Sequence, residues 1–215
     1  MRKLLVSRWT KVVLFLVCLI PLADLVVRFY RQDLGANPVE FITHFTGDWI
    51  IRFLMITLSV TPLRKLLRQP QLARFRRMFG LFAFFYGCLH FMTWFYLDKA
   101  FDFSEMGKDI LKRRYITVGM TALILMLPLA ITSTAGWVRR LGFARWQRLH
   151  RLIYFSALAG VIHYYWLVKS DVRLPLMYGG ILLVLMAYRA TVWLRSSPPR
   201  DRARVPAGAK AYQSE

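Results

Sequence analysis

Residues 76–90 read RRMFGLFAFFYGCLH, and this stretch decides the fold class. Two arginines are followed by an apolar and aromatic run that contains one histidine, His90, and continues as far as residue 97. A run of about 20 mostly apolar residues crosses the hydrocarbon core of a bilayer when it forms an α-helix. The stretch therefore predicts a membrane-spanning helix over residues 77–97 with a basic start.

The rest of the chain repeats this pattern. Of its 215 residues, 57% are hydrophobic, whereas soluble domains are about 45–50% apolar. Residues 1–195 are therefore expected to form an all-α integral membrane bundle of six transmembrane helices. The tail, residues 196–215, is rich in proline, arginine, alanine and glycine and is expected to be disordered. The six apolar runs cover residues 10–28, 46–62, 77–97, 115–132, 150–168 and 174–194.

The net charge of +20 would indicate a nucleic-acid ligand on a soluble protein. Here the basic residues lie between apolar runs, so they indicate contact with membrane lipid and no nucleic acid. Most of them fall before the first run, after the second, after the fourth and after the sixth. Since lysine and arginine accumulate in cytoplasmic loops, both termini are expected in the cytoplasm. A multi-pass protein of a bacterial inner membrane is expected, with the acidic segment 98–109 as a loop that faces outward.

His90 and His163 lie late in the third and fifth predicted spans, which run in the same direction. They are therefore expected at a similar depth, in the outer half of the bilayer. Two histidines on facing helices are a typical axial ligand pair for haem iron. The alternative is that each histidine makes an ordinary hydrogen bond to the backbone or to a serine or threonine.

His150 stands 13 residues before His163, roughly 20 Å away along an ideal helix. That separation suits a second redox centre in the inner leaflet, with His150 as an axial haem ligand or another cofactor contact. The matching positions on the third span hold Arg76 and Arg77, so a second haem has no symmetric ligand there. The alternative is an interfacial histidine. His44 is expected in an outer loop, as a solvated or partner-contact residue.

Three arginines near these histidines are candidates to bind anionic groups, because a guanidinium makes paired hydrogen bonds to carboxylate and phosphate. Arg77 and Arg151 adjoin the expected inner site and are candidates for a haem propionate or a flavin phosphate. Arg52 is the candidate for an outer propionate. The alternative is that the basic clusters serve only topology and contact lipid phosphates.

Two strings carry a recognisable pattern: residues 76–90, quoted above, and residues 132–154, TSTAGWVRRLGFARWQRLHRLIY, followed by His163. With the six predicted spans they resemble the ferric-reductase-like transmembrane family, most closely the haem-binding subunits of periplasmic methionine sulfoxide reductase systems. The resemblance implies an electron-transfer subunit that carries haem b, one or two, and FMN. It implies quinol or a cytosolic flavin reductase as the donor. The implied acceptor is a periplasmic molybdenum-containing reductase, which holds the catalytic site for methionine sulfoxide.

Two other functions stay open on the residues alone. One is a ferric reductase that uses the same haem core with a separate flavin and nicotinamide subunit. The other is a six-span transporter without redox chemistry, in which the histidines line a pore or pack. For the electron-transfer function, segments 29–47 and 98–114 are the expected docking surface for the partner, with Asp102 and Glu105 contributing to it.

Overall fold

The computed structural model describes residues 7–168 and 170–196, and within these ranges all regular structure is helical. The α-helices are α1 (Arg8–Tyr30), α2 (Pro38–Leu66), α3 (Arg76–Met92), α4 (Phe103–Lys112), α5 (Arg114–Ile131), α6 (Ala135–Leu141), α7 (Phe143–Leu149), α8 (Leu152–Leu167) and α9 (Arg173–Ser196). A 3₁₀ helix, Pro70–Phe75, leads into α3, and a π-helix, Thr93–Asp98, follows it.

Four helical stretches in the described ranges are long and apolar enough to cross a membrane. They correspond to the first, third, fourth and sixth predicted spans. The other two predicted spans also form helices, but α2 carries Asp48 and Arg52 in its apolar part, and α8 has only 16 residues, about 24 Å. The all-helical architecture is therefore confirmed in the described ranges, with four stretches suited to crossing a membrane out of the six expected. The four stretches are Arg8–Tyr30, Pro70–Asp98, Arg114–Ile131 and Arg173–Arg195.

The packed centre of the bundle lies where α2 meets α3, and a second close pairing joins α5 to α8. Ala83 and Ala157 are fully buried, so their helices approach closely. Phe53 of α2 stacks on Tyr86 of α3 with ring centroids 5.4 Å apart. Because lipid tails are as apolar as these side chains, close van der Waals packing stabilises such contacts within the bilayer.

Tyr86 also fixes α1 to the bundle at a helix-breaking residue. Pro21 lies inside α1 and has no N–H to donate. The fully buried Tyr86 hydroxyl donates to the carbonyl of Cys18 at 3.0 Å and accepts from the N–H of Leu22 at 3.1 Å. These two groups are four residues apart and pair with each other in a regular helix. The hydroxyl thus satisfies the backbone next to the proline.

The prediction that His44 lies in a loop is wrong, because α2 begins at Pro38 and includes it. The Asn37 side chain accepts a hydrogen bond from the N–H of Glu40 at 3.2 Å and caps the helix. Proline at the first helical position suits this start. The apolar run from residue 46 marks only the part of α2 that packs in the bundle, so hydropathy alone placed the start too late.

Two further expectations need correction. The acidic segment 98–109 is not a loop throughout, because α4 begins at Phe103 with the Asp102 carboxylate accepting from the N–H of Glu105 at 3.0 Å. The fifth span does not open at His150, which caps the short helix α7, and α8 begins at Leu152. The expected tail lies outside the described residues from residue 197 onward.

Candidate functional site

One cavity of about 490 Å³ lies between α2, α3, α5 and α8. We call the end of the bundle that carries Asp33, Asp98 and Asp109 the acidic end, and the opposite end, with Arg68 and Arg148, the basic end. The cavity is apolar in its depth and becomes polar towards the acidic end. Its volume falls within the range of about 300–1,000 Å³ that is usual for cofactor and small-molecule sites. His90 and His163 both line it.

His90 is fixed by the neighbouring helix α2. Its Nδ1 lies 2.9 Å from the carbonyl oxygen of Thr43 and 3.4 Å from the hydroxyl of Thr46. The Thr46 hydroxyl lies 2.7 Å from the carbonyl of Ile42, to which it donates. A backbone carbonyl only accepts hydrogen bonds, so Nδ1 of His90 carries the ring proton. Its Nε2 therefore holds a free lone pair.

His163 is fixed in the same way by a different helix. Its Nδ1 lies 2.6 Å from the carbonyl oxygen of Tyr115, at the start of α5. This carbonyl also requires the proton on Nδ1 and leaves the lone pair on Nε2. The tautomers of His90 and His163 are thus set by two backbone carbonyls, a support that histidine ligands of metals usually have.

The two imidazoles face one space. Their ring centroids are 6.1 Å apart and their planes are almost perpendicular, at 89°. Within residues 7–168 and 170–196, no hydrogen bond occupies Nε2 of either ring. An edge-to-face aromatic pair has a similar spacing, but it does not need two lone pairs held in place. The arrangement suits two axial ligands of one metal ion.

Glycines at the cavity wall make room for these rings. A Cβ added at Gly119 would lie 2.5 Å from Nδ1 of His163, and one at Gly47 would lie 3.3 Å from Cε1 of His90. Gly87 also lines the cavity, and a Cβ there would meet Leu123 at 3.0 Å. Three helices therefore approach the cavity with no side chain at the closest point. A flat macrocycle needs such space beside its ligands.

The structure does not bring His150 to this cavity. Its Nε2 lies 3.1 Å from the Thr132 hydroxyl, whose own proton points to the Pro128 carbonyl at 2.6 Å. Nε2 of His150 is therefore the donor. The ring also stacks on Trp146 with centroids 4.0 Å apart, and the Trp146 indole donates to the Thr132 carbonyl at 2.9 Å. His150 thus has a fixed place at the basic end of the bundle.

The three predicted anion-binding arginines all lie outside the cavity wall. Arg52 donates to Asp48 at 3.1 Å and to the Tyr178 hydroxyl at 3.3 Å. Arg77 and Arg151 are exposed at the basic end, where His150 also lies.

Sequence reasoning missed an arginine that does line the cavity, Arg113, which stands at its acidic end. In the sequence it is one of several charged residues of the segment 98–114. Its position beside a run of charged residues in 98–114 was the available signal.

A buried lysine organises that segment. Nζ of Lys99 lies 2.8 Å from both Glu105 and Asp109, and 3.4 Å from Asp98, while its side chain is 6% exposed. Hydrogen bonds that Lys99 donates to the carboxylates of Asp109 and Glu105 raise its pKa above the ordinary value, so it stays charged. On its other side Asp109 accepts from Nε of Arg113 at 3.2 Å. The π-helix, α4 and the start of α5 are thereby joined.

Comparison with known proteins agrees with this geometry. Residues 46–161 match the family model described as "Ferric reductase like transmembrane component". The "Protein-methionine-sulfoxide reductase heme-binding subunit MsrQ" of Herminiimonas arsenicoxydans is 51% identical over 181 residues, 83% of each chain. Proteins of the same description are 48% identical in Caulobacter vibrioides, over 83% of this chain and 84% of that one, and 53% in Xanthomonas oryzae pv. oryzae, over 80% and 77%.

The matched region contains α3, the start of α8 and most of the cavity wall, and both sequence strings quoted above lie within it, while His163 follows two residues after its end. The resemblance seen in residues 76–90 and 132–154 is thereby confirmed. The chain belongs to the ferric reductase-like transmembrane family and, within it, to the MsrQ subunits.

Proposed function

We propose that this chain is the haem-carrying membrane subunit of a protein-methionine-sulfoxide reductase and passes electrons across the bilayer. The observation that carries the proposal is the pair His90 and His163, which line one cavity. A backbone carbonyl accepts from Nδ1 of each ring and leaves each Nε2 available to a metal ion. The MsrQ relatives are described as heme-binding subunits of that reductase, which supports the proposal.

The residues present fit one haem b. His90 and His163 would be its axial ligands, and the glycine-lined wall formed by Gly47, Gly87 and Gly119 leaves space beside them. When bound, the haem supplies a one-electron carrier. The chain keeps both imidazoles in the ligating tautomer and surrounds them with apolar side chains, which exclude water. Since the MsrQ relatives are described as heme-binding subunits, we place the chemistry of methionine sulfoxide in the partner.

In the membrane, we propose that α2 and α8 complete a six-helix bundle with the four stretches that are long and apolar enough to cross it. The described carboxylates lie towards one end and the dense arginine clusters towards the other. By the positive-inside rule, the basic end faces the cytoplasm of a bacterial inner membrane, and both termini lie there. The cavity with His90 and His163 then lies nearer the outer face, where electrons leave.

For the donor side, we propose quinol or a cytosolic flavin reductase, with FMN as a second cofactor. The proposed contacts for the phosphate and ring of FMN lie at the basic end and are Arg77, Arg151 and His150. Exposed guanidiniums bind phosphate readily. For the acceptor side, we propose a periplasmic molybdenum-containing reductase subunit. These assignments rest on family membership and on the opposite charge of the two ends.

The test is electron transfer in vesicles that contain the purified chain and a quinol. The haem should become reduced and should be reoxidised rapidly only when both the reductase partner and a methionine-sulfoxide protein are added outside. The His163→Ala variant should transfer no electrons, whereas Tyr165→Phe, an exposed position on the same helix, should behave as the wild type. Rapid reduction of a ferric chelate without any partner would favour a ferric reductase instead.

A further inference from the structure

The acidic end of the cavity carries one arginine whose role the histidine site does not explain. Arg113 stands just before α5, and Trp94 stands in the π-helix that follows α3. Both line the same cavity. Within the described ranges, the other charged residues of the cavity wall are the acidic residues Glu40, Asp48 and Asp98. Each has a partner: Asn37 for Glu40, Arg52 for Asp48 and Lys99 for Asp98.

Arg113 is held in place with one nitrogen of its guanidinium left free. Its Nε binds Asp109 at 3.2 Å, and its Nη1 lies 3.2 Å from the Tyr115 hydroxyl. The other oxygen of Asp109 is bound by Lys99 at 2.8 Å. Asp109 therefore contacts both cations and fixes the position of Arg113. Among the described residues, no hydrogen bond is formed by Nη2 of Arg113, so part of its planar fork is free to bind a ligand.

Trp94 supplies a second donor. Its indole Nε1–H is buried and has no hydrogen-bond partner within residues 7–168 and 170–196. A buried N–H without a partner is unfavourable, so such a group in a native fold calls for an acceptor. An indole N–H can only donate. An arginine fork and a lone donor that line one cavity are complementary to a group that only accepts and is negatively charged, namely a carboxylate.

We propose that Arg113 and Trp94 form a carboxylate-binding subsite at the acidic end of the cavity. This inference rests on the proposed function, since the carboxylate is a propionate of the haem held by His90 and His163. It replaces Arg52 in that role, because Arg52 does not line the cavity and its guanidinium is bound to Asp48 and Tyr178. Asp109 and Lys99 act as positioning residues for Arg113.

The experiment is a titration of the full chain, produced without haem and placed in nanodiscs, with haem and with haem dimethyl ester. The ester has the same macrocycle but no carboxylate. A hydrogen bond to a charged group corresponds to about a tenfold or larger difference in Kd. Wild type should therefore bind haem about tenfold more tightly than the ester.

Variants separate the subsite from the rest of the cavity. Arg113→Gln should weaken haem binding about tenfold, leave ester binding unchanged and so abolish the preference. Trp94→Phe should reduce the preference, and Arg113→Lys should retain part of it. Arg114→Gln, a neighbouring exposed arginine that does not line the cavity, should match wild type.

The outcomes distinguish the two proposals. Equal Kd values for haem and ester in wild type, or an unchanged preference in both Arg113 variants, would overturn the subsite and leave the haem proposal standing. Failure of wild type to bind either macrocycle would overturn the proposed function and the subsite together. If Arg113→Gln does not fold, the Trp94→Phe and Arg113→Lys titrations decide the question.

Discussion

Arg189 of α9 donates its Nη2 to the backbone carbonyl of Leu58, 2.6 Å away in α2. Leu58 precedes Pro62 by four residues, and a proline has no N–H with which to close that helical hydrogen bond. The carbonyl is buried with its residue, which is 2% exposed. The arginine therefore replaces a hydrogen bond that the proline removes, and it also donates to the Leu185 carbonyl at 2.9 Å.

This relationship predicts a rescue. Arg189→Gln should lower the free energy of unfolding by about 1–3 kcal/mol, because a buried carbonyl loses its donor. In a Pro62→Ala background the alanine N–H can bond the Leu58 carbonyl, so the same change should cost less. The double-mutant cycle is measured by denaturant unfolding in detergent. Equal costs in the two backgrounds would contradict the assignment.

Gly119→Ala should disturb the ligand His163 directly. The new methyl group would lie 2.5 Å from Nδ1 of the imidazole, which must then move away from the Tyr115 carbonyl. Overpacking of this kind costs about 1–3 kcal/mol, and we expect a large loss of bound haem per chain. Gly180→Ala is the matched control, because a Cβ there meets nothing within 4 Å. Both changes gain the same helix propensity. Equal haem content in Gly119→Ala and Gly180→Ala would therefore refute the close approach of Gly119 to the His163 ring.

Tyr86→Phe should loosen α1 from the bundle. The variant keeps the stacked ring but leaves the Cys18 carbonyl without its donor and the Leu22 N–H without its acceptor. A cost of about 1–3 kcal/mol is expected, seen as a lower Tm by circular dichroism. Tyr165→Phe, at an exposed position, should leave the Tm unchanged. A Tm equal to wild type for Tyr86→Phe would mean that the hydroxyl does not hold the helix at Pro21.

The Lys99 cluster predicts a particular dependence of stability on pH. Because the folded-state pKa of Lys99 is raised, its contribution is complete below the unfolded value of about 10.4 and is lost as pH rises through the folded value. Lys99→Gln should cost about 1–3 kcal/mol at neutral pH. The difference between wild type and variant should shrink above about pH 10.4.

The control for that series is Lys108→Gln, at an exposed position on α4. It should retain both the stability and the alkaline loss of the wild type. A difference between wild type and Lys99→Gln that stays constant up to strongly alkaline pH would show that the Lys99 charge contributes nothing.

Glu105 and Asp102 are poor positions for testing partner docking by mutation. Glu105 binds Lys99 and Asp102 caps α4, so a change at either residue would also disturb the fold.

Much of the candidate site is predictable from the sequence. His90 and His163 lie late in two spans of the same direction, and that alone places them at one depth. The basic and acidic segments likewise predict two ends of opposite charge. These inferences succeed because span direction and span length constrain depth strongly in a membrane.

Other parts of the site leave no trace in the pattern of residue types. Thr43 and Tyr115 fix the histidine tautomers through backbone carbonyls, so any side chain at those positions would serve equally. The length of α2 is hidden because hydropathy marks only its apolar part. Arg113 looks like an ordinary topological charge until the cavity wall is known, and its position depends on Asp109, which a helix brings near it.

The most direct measurement of the central claim is the haem-to-protein ratio, by pyridine haemochrome and reduced-minus-oxidised absorbance, in wild type and in His90→Ala, His163→Ala and His150→Ala. The account predicts a b-type spectrum that is lost in the first two variants. It predicts retention in His150→Ala, because that imidazole is bound to Thr132 at the basic end. Haem retained at the wild-type ratio in both His90→Ala and His163→Ala would contradict the account.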